Sequence, residues 1–472
     1  MRINKTKASL VSLSAVLFPL FAVASTSSYK LEEGKAALTR YAEENSAPAR
    51  PAFKEPVFTP SEMSVQPQRD WTVMIYMNGR SNVEAFALED MNELELAGST
   101  DRVNVVTELG RMTGTEGNAG PDGKWTGSRR FFVIKDADTS TIKSPALWQN
   151  PKPDMGDYHQ VVSFVQWARK TFPAKKYALI IWDHGWGWMD PSKPMTRSIS
   201  HDFVTGHAIK TTELKAMFSQ IGQLDMYASM ACFMQMMEVS YEVKDYAKVV
   251  VGSEEVIQLP SFDFDAFLNL LSAKPQADAE DAGKFLVKTF KDLYSQPGTV
   301  APGYGVQLSA MRMDKMVDVK SALDNWIKLV SESGDAQALK IAMRDVIRFE
   351  VGDESTDPDK KKSPYADLGH FIKLFNANMT VSTPEAQAAR AAGEALLATI
   401  KGMTVAQAGF GKDRVGNDFA DTTGIAIDIP GKPGEPLLEH DNSYGKLDFI
   451  KNSAWGKFHS MLEELNKPKK KS

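Results

Sequence analysis

The chain has 472 residues, a net charge of −5 and 43% hydrophobic residues. This composition is sufficient to bury a large core, and the length suggests two or three domains. The mildly acidic balance argues against nucleic acid as a partner. Cys232 is the only cysteine of the sequence, so a disulfide within the chain is excluded.

Residues 1–24 have the pattern of a secretory signal peptide. Three basic residues precede an apolar run over residues 10–23, and the small residues Ala-Val-Ala come directly before Ser25. The run is shorter than the roughly 20 residues of a membrane span. We therefore expect an exported protein, periplasmic or secreted, without stable membrane insertion. Residues 25–69 are rich in Ser, Pro, Ala and Glu, which is typical of a leader or a pro-segment.

Residues 70–275 alternate between short apolar runs and amphipathic stretches. The patterns predict strands at 71–77, 103–109, 130–134, 176–182, 224–231 and 248–252, and helices at 83–96, 158–172, 211–221 and 234–246. Such alternation implies a mostly parallel α/β sheet that is covered by helices on both faces. In these sheets, ligands bind beyond the carboxyl ends of the strands.

Residues 276–472 are predicted to form a helix-rich C-terminal region. Helices are expected at 277–296, 316–333, 338–349, 365–376, 384–400 and 447–465. Two apolar runs, at residues 304–311 and 424–430, predict strands that extend the fold of the first region.

Cys232 lies at the end of the predicted strand 224–231. An exported chain normally pairs its cysteines or lacks them, so a single cysteine suggests a reactive thiol; a small buried hydrophobe is the alternative. His184 lies 48 residues upstream and directly follows the end of strand 176–182. If these two strands are neighbours in the sheet, both side chains face one crevice.

A thiol beside an imidazole has the chemistry of an acyl-transfer nucleophile. The imidazole shifts the thiol toward thiolate, and backbone N–H groups stabilise the tetrahedral oxyanion. Gly185 lacks a Cβ, so a carbonyl can approach its N–H closely. The amide of Cys232 is the second candidate donor. We expect this amide at the start of a helix, where the helix terminus would also favour the thiolate.

The segments Asp183-His184-Gly185-x-Gly187-Trp188 and Ala231-Cys232-Phe233-Met234, each after an apolar strand, resemble the clostripain family of cysteine peptidases, relatives of caspases and gingipains. Other similar segments follow in the same order, so the resemblance covers about residues 70–465. It implies a caspase-like three-layer α/β/α sandwich with a mostly parallel sheet.

The resemblance also implies an activity and a set of site residues. The chain is expected to be an exported cysteine endopeptidase with a Cys-His dyad, in which Cys232 is the nucleophile and His184 the general base. Gly185 and Cys232 supply the oxyanion amides. The family pattern requires no third orienting residue, and Asp183 is expected to be a strand-end carboxylate that bonds to backbone.

The sequence departs from the family pattern at Met230. Members that cleave after Arg or Lys carry an aspartate at this position, two residues before the cysteine, whereas methionine cannot pair with a buried guanidinium. A second family aspartate follows the Ser-Glu-Glu segment, and Asp263 or Asp265 is the candidate for it. We predict that the P1 preference for Arg or Lys is weakened, or altered toward uncharged side chains.

Related peptidases are activated by cleavage between base and nucleophile. Lys193 and Arg197 are the candidate self-cleavage sites here, with ordinary solvated charges as the alternative. No cofactor or metal site is predicted, because His201 and His207 have no third ligand at zinc-site spacing. The resemblance leaves calcium open, although no Asp-rich calcium loop occurs in the sequence.

Protein or peptide substrates are therefore the expected partners, and the sequence does not determine the oligomeric state. Two other hypotheses remain. The first is a binding or scaffold protein on a clostripain-like fold that has weak or no turnover. The second is a thiol amidohydrolase that acts on something other than proteins, since function depends on the site rather than the fold.

Overall fold

The computed structural model describes residues 66–112, 122–188, 199–349, 364–413, 415–431 and 444–467. The predicted signal peptide at 1–24 and nearly all of the leader at 25–69 lie outside the described residues. Lys193 and Arg197 also lie outside them, so self-cleavage at these residues stays a prediction.

Thirteen strands occur in the described residues. They are β1 (Arg69–Gly79), β2 (Val103–Arg111), β3 (Gly127–Phe132), β4 (Ala146–Asn150), β5 (Ala174–Trp182), β6 (Ile199–Asp202), β7 (His207–Ile209), β8 (Leu224–Met230), β9 (Ala247–Gly252), β10 (Gly305–Arg312), β11 (Tyr365–Asp367), β12 (Thr404–Gly411) and β13 (Ala426–Asp428).

Nine of these strands form one mixed sheet in the order β12-β10-β9-β8-β5-β1-β2-β3-β4. The five central strands, β9 to β2 in this order, are parallel, and two antiparallel strands extend the sheet on each side. The predicted α/β fold with a mostly parallel sheet is confirmed for this central part.

The helices cover both faces of the main sheet. They are α1 (Glu84–Ala97), α2 (Tyr158–Thr171), α3 (Thr211–Ile221), α4 (Met237–Val243), α5 (Phe264–Ala273), α6 (Ala279–Tyr294), α7 (Met316–Ser333), α8 (Ala336–Asp345), α9 (Leu368–Ala377), α10 (Pro384–Met403), α11 (Asp448–Asn452) and α12 (Trp455–Asn466).

Two hydrophobic cores separate these layers. The core that contains Ala87 of α1, Phe267 of α5 and Leu286 of α6 lies on one face, and the core that contains Val161 of α2 and Leu214 of α3 lies on the other. The side chains of β1 alternate between the two cores along a strand that is buried on both faces. This is why the central strands appear in the sequence as continuous apolar runs rather than as alternating patterns.

The C-terminal residues contribute strands as well as helices. β10 joins the main sheet beside β9, and β12, which the sequence patterns did not predict, pairs with β10 at one edge. The predicted strand at 424–430 contains β13, but β13 pairs with β11 in a separate two-stranded sheet. The part of the chain that the structure describes contains no helix long and apolar enough to cross a membrane.

The segment after Cys232 differs from the prediction. Helix α4 begins at Met237 rather than near residue 234, and the buried residue Phe233 has a φ of +62°. Gln235 instead donates its N–H to the carbonyl of Ser253 at 3.0 Å and accepts the N–H of Ala426 at 3.0 Å. Cys232 is therefore not at a helix N-terminus, and the predicted effect of a helix terminus on its thiol is wrong.

The carboxylate of Asp428 anchors the last helix. Nε2 of His459 in α12 lies 2.7 Å from Oδ1 of Asp428, while Nε1 of Trp188 donates to Oδ2 at 2.9 Å. Burial lowers the pKa of His459, but the hydrogen bond and charge of Asp428, with the charges of Glu463 and Glu238, outweigh it and raise the pKa above its ordinary value.

Because the folded pKa of His459 is raised, its contribution to stability is present below the unfolded pKa of about 6.5 and is lost as pH rises through the folded pKa. We expect His459→Gln to reduce the free energy of unfolding by about 1.5–3 kcal/mol near pH 6 and by less near pH 9. Urea unfolding at both pH values measures this difference.

The control is His159→Gln, since the imidazole of His159 is 38% exposed in its pair with Asp157. Its loss should change stability by less than about 1 kcal/mol at either pH. A larger cost of His459→Gln at the higher pH would contradict the assigned ion pair.

Candidate active site

His184 and Cys232 follow the carboxyl ends of adjacent parallel strands. Trp182 of β5 is the register partner of Met230 in β8, and the N–H of Asp183 donates to the carbonyl of Met230 at 3.3 Å. The two segments therefore leave the sheet side by side. The sequence analysis predicted that His184 and Cys232 face one crevice only if their two strands are neighbours, and they are.

Gly185 packs directly against the backbone at Ala231 and Cys232. A Cβ on Gly185 would lie 2.5 Å from the carbonyl oxygen of Cys232, 2.8 Å from Cβ of Ala231 and 3.0 Å from N of Cys232. These distances leave no room for any side chain. The residue after the predicted base thus has to be glycine for the two backbones to approach this closely.

The environment of the Cys232 thiol opposes ionisation. Burial raises its pKa to about 12; nearby N–H groups of Ile257, Cys232 and Gly185 act in the opposite direction, and the charge of Glu255 raises the pKa further. Burial of the sulphur thus acts against the expected shift toward thiolate. The two predicted oxyanion amides both lie beside the sulphur, together with the N–H of Ile257, which the sequence did not indicate.

The imidazole of His184 has an amide partner. Its Nε2 lies 2.8 Å from Oδ1 of Asn82, and the ring of Phe203 stacks on it with centroids 6.3 Å apart. Asn82 lies 102 residues upstream in the turn between β1 and α1. No motif around it marks this role, so the sequence analysis missed it.

Asp183 is a buried carboxylate that joins several segments. Its Oδ2 accepts Nδ2 of Asn78 at 3.0 Å and the backbone N–H of His201, and its Oδ1 accepts the hydroxyl of Ser81 at 3.1 Å. Burial raises its pKa well above the ordinary range despite these donors. These partners agree with the predicted strand-end carboxylate.

The loop that follows His184, residues 185–188, is bonded to distant parts of the chain. The hydroxyl of Tyr365 donates to the carbonyl of Trp186, and the hydroxyl of Thr211 donates to that of Gly187 at 3.0 Å. Thr211 is the first residue of α3, so the start of this helix is bonded directly to the loop. Together with the bond from Trp188 to Asp428, these contacts attach residues 186–188 to three distant parts of the chain.

Met230 is buried at the end of β8, in the core shared with α1, α5 and α6. The carboxyl group of Asp90 on α1 accepts the indole N–H of the neighbouring Trp182 at 2.6 Å. Burial raises the pKa of Asp90 to about 8, so this group is mostly protonated at neutral pH. The core around Met230 is thus apolar, and the carboxyl group bonded to its register partner Trp182 is mostly uncharged.

Asp263 and Asp265 lie at the start of α5 beside Glu93 of α1. Oδ1 of Asp263 accepts the N–H of Ala266 at 3.1 Å as a helix cap, and Oε1 of Glu93 accepts the N–H of Phe264 at 2.9 Å. One carboxylate oxygen from each of the three acids lies within 4.8 Å of the others. Burial, followed by the negative charges of Asp90 and the other acids, raises the pKa of Glu93 to about 9. Helix capping accounts for this arrangement, and substrate binding by Asp263 or Asp265 remains a prediction.

Comparisons with known proteins identify similar chains. The family described as the clostripain family matches residues 75–464. Clostripain from Hathewaya histolytica is 22% identical over 338 residues, which cover 66% of this chain and 63% of that protein. The chain therefore spans about 63% of the length of this curated relative.

Two solved structures share the fold. The first is an inactive zymogen C11 protease from Parabacteroides distasonis, with a TM-score of 0.59, 15% identity and coverage of 82% of this chain and 99% of that chain. The second is a secreted C11 cysteine protease from Bacteroides thetaiotaomicron in complex with an irreversible peptide inhibitor, with a TM-score of 0.58 and the same identity and coverage. The predicted caspase-like α/β/α sandwich is confirmed by these matches.

Steric exclusion at Gly185 generates a direct test. Because a Cβ would overlap the backbone of Cys232, we expect Gly185→Ala to separate the two segments and lower kcat/KM toward peptides by at least about 100-fold. Gly402→Ala is the control, since a Cβ at Gly402 meets no atom within 4 Å. Equal peptidase activity of the two variants would contradict the close approach.

The raised pKa of Cys232 predicts a particular reactivity. The rate of alkylation by iodoacetamide should keep rising with pH beyond about pH 9, because only the thiolate reacts. The modified residue is identified by peptide mass spectrometry across the pH series. A rate that levels off near neutral pH would show instead that the free protein holds a thiolate.

Proposed function

The chain belongs to the clostripain family, and from this premise we propose that it is a cysteine endopeptidase with a dyad of Cys232 and His184. The observation that supports the dyad most strongly is the contact of Gly185 with the backbone of Cys232. It brings the loop of the base against the nucleophile and puts two backbone N–H groups beside the sulphur.

The proposed reaction begins with a neutral thiol. As the sulphur of Cys232 attacks the peptide carbonyl, its proton passes to His184, and the carbonyl oxygen becomes an oxyanion bound by the N–H groups of Gly185 and Cys232. His184 then protonates the leaving amine, and an acyl-enzyme remains. Water, deprotonated by His184, hydrolyses the thioester and restores the thiol.

The reaction does not require a preformed thiolate. Burial holds the pKa of Cys232 at about 12, so transfer of its proton to His184 accompanies the attack. The geometry of the general base consequently affects the rate more than it would in a site that already holds a thiolate.

The preference at P1 follows from Met230. A guanidinium or ammonium beside Met230 would lose its hydration without gaining a carboxylate partner from that position, which is costly. We propose that uncharged P1 side chains are cleaved preferentially. The apolar core around Met230 and the mostly protonated Asp90 support this preference.

We also propose that the protein is exported. The signal pattern at residues 1–24 supports export, as does the similarity to a Bacteroides thetaiotaomicron protease that is described as secreted. Mass spectrometry of the N-terminus from periplasmic and culture-medium fractions tests this: a mature chain that begins at Ser25 supports export, and an intact N-terminus confined to the cytoplasm contradicts it.

A mixed peptide library tests the activity and the preference together. The native protein should cleave peptide bonds, whereas Cys232→Ala and His184→Ala should lose at least about 100-fold in rate. Met230→Asp should gain cleavage after Arg and Lys, and Met230→Leu is the matched control that should keep the native preference. Mass spectrometry of the products identifies each P1 residue.

Three results would contradict the proposal in different ways. Strict cleavage after Arg by the native protein would overturn the P1 preference alone. Absence of cleavage together with tight peptide binding would favour the binding or scaffold hypothesis. Hydrolysis of non-peptide amides without peptide cleavage, dependent on Cys232, would favour the amidohydrolase hypothesis.

A further inference from the structure

The contact between His184 and Asn82 determines which nitrogen of the imidazole carries the hydrogen. Oδ1 of Asn82 accepts hydrogen bonds and cannot donate them, so a distance of 2.8 Å to Nε2 requires the hydrogen to reside on Nε2. In the neutral ring, Nδ1 then carries the lone pair. Nδ1 is consequently the basic nitrogen of this tautomer, the one that a proton from a thiol would join.

The position of Asn82 is fixed by the residues around it. Asn82 lies in the turn after β1, and the neighbouring hydroxyl of Ser81 donates to the carboxylate of Asp183 at 3.1 Å. Asn78, at the end of β1, donates to the same carboxylate at 3.0 Å. Asp183 directly precedes His184, and Ser81 directly precedes Asn82. The buried carboxylate of Asp183 therefore joins the segment of His184 to the segment of Asn82.

The aromatic neighbour of His184 has a different effect. The ring of Phe203 lies nearly parallel to the imidazole, with an interplanar angle of 14° and centroids 6.3 Å apart. Stacking restricts the plane of the imidazole, but it does not determine which nitrogen carries the hydrogen. The acceptor oxygen of Asn82 supplies that second restriction.

We propose that Asn82 is a positioning residue for the peptidase reaction: it holds His184 in the Nε2–H tautomer and thereby presents Nδ1 to the thiol of Cys232. The inference rests on the proposed function. The proton of the thiol moves to Nδ1 and later from Nδ1 to the leaving amine. The proton on Nε2 stays in its bond to Asn82, which becomes charge-assisted while the ring is an imidazolium.

The kinetic test uses two substitutions of Asn82 in the mature chain. Asn82→Ala should lower kcat by about tenfold or more, part of the roughly 10²–10⁴-fold contribution of a positioned general base, with little change in KM. Asn82→Asp restores an acceptor for Nε2–H and adds a negative charge that stabilises the imidazolium. It should recover most of kcat and move the acidic limb of the kcat/KM profile to higher pH.

Asn92→Ala is the control for simple loss of a buried amide. Asn92 lies in α1, the helix that follows the same turn, and its Nδ2 donates to the carbonyl of Leu88 at 2.8 Å. This substitution should leave the pH profile in place. The proposal is overturned if Asn82→Ala keeps the native kcat, or if Asn82→Asp leaves the acidic limb where it is in the native protein.

A readout that does not depend on turnover separates this proposal from the proposed function. In ¹⁵N-labelled protein, two-bond imidazole correlations report the tautomer of each of the seven histidines, and His184→Gln identifies the signal of interest. An Nε2–H signal for His184 that becomes a mixture of tautomers in Asn82→Ala supports the assignment. An Nδ1–H tautomer in the native protein overturns it, whether or not peptides are cleaved.

Discussion

The buried carboxylate of Asp183 is the constraint on which the geometry of the candidate site depends. It is 7% exposed and receives hydrogen bonds from Asn78 at the end of β1, from Ser81 just after this strand and from the backbone of His201 in β6. A buried polar group of this kind is tolerated only when such partners surround it. The same bonds lock three chain segments together at the residue before His184. His184, the proposed general base, therefore has little freedom to move relative to the sheet.

The C-terminal region forms hydrogen bonds with both loops of the candidate site. Tyr365 and Asp428 bond the loop after His184, and the backbone of Gln235, three residues after Cys232, pairs with that of Ala426. Both loops of the proposed dyad thus have partners from beyond residue 350. His459 of α12 and Trp188 of the loop after His184 both bond Asp428. A shift of α12 would therefore move this loop through Trp188.

The sequence predicted features that local patterns determine. Apolar runs predicted the strand ends at His184 and Cys232. The sequence did not show whether these two strands are neighbours, and the sheet order places them side by side. The helix after Cys232 was misplaced because Gln235 forms its hydrogen bonds with distant residues, which a local pattern cannot indicate. β12 was missed for a similar reason, since its small residues become a strand only by pairing with β10. Asn82 gave no signal, because its contact depends on tertiary structure.

The central claim is that Cys232, assisted by His184, attacks a peptide carbonyl. An irreversible peptidyl ketone inhibitor with an uncharged P1 side chain tests it most directly, with intact mass and peptide mapping as the measurement. The account predicts one covalent adduct, on Cys232, that forms far more slowly in His184→Ala although iodoacetamide still modifies the thiol of that variant. Adduct formation at equal rates in both proteins, or no adduct on an alkylatable Cys232, would contradict it.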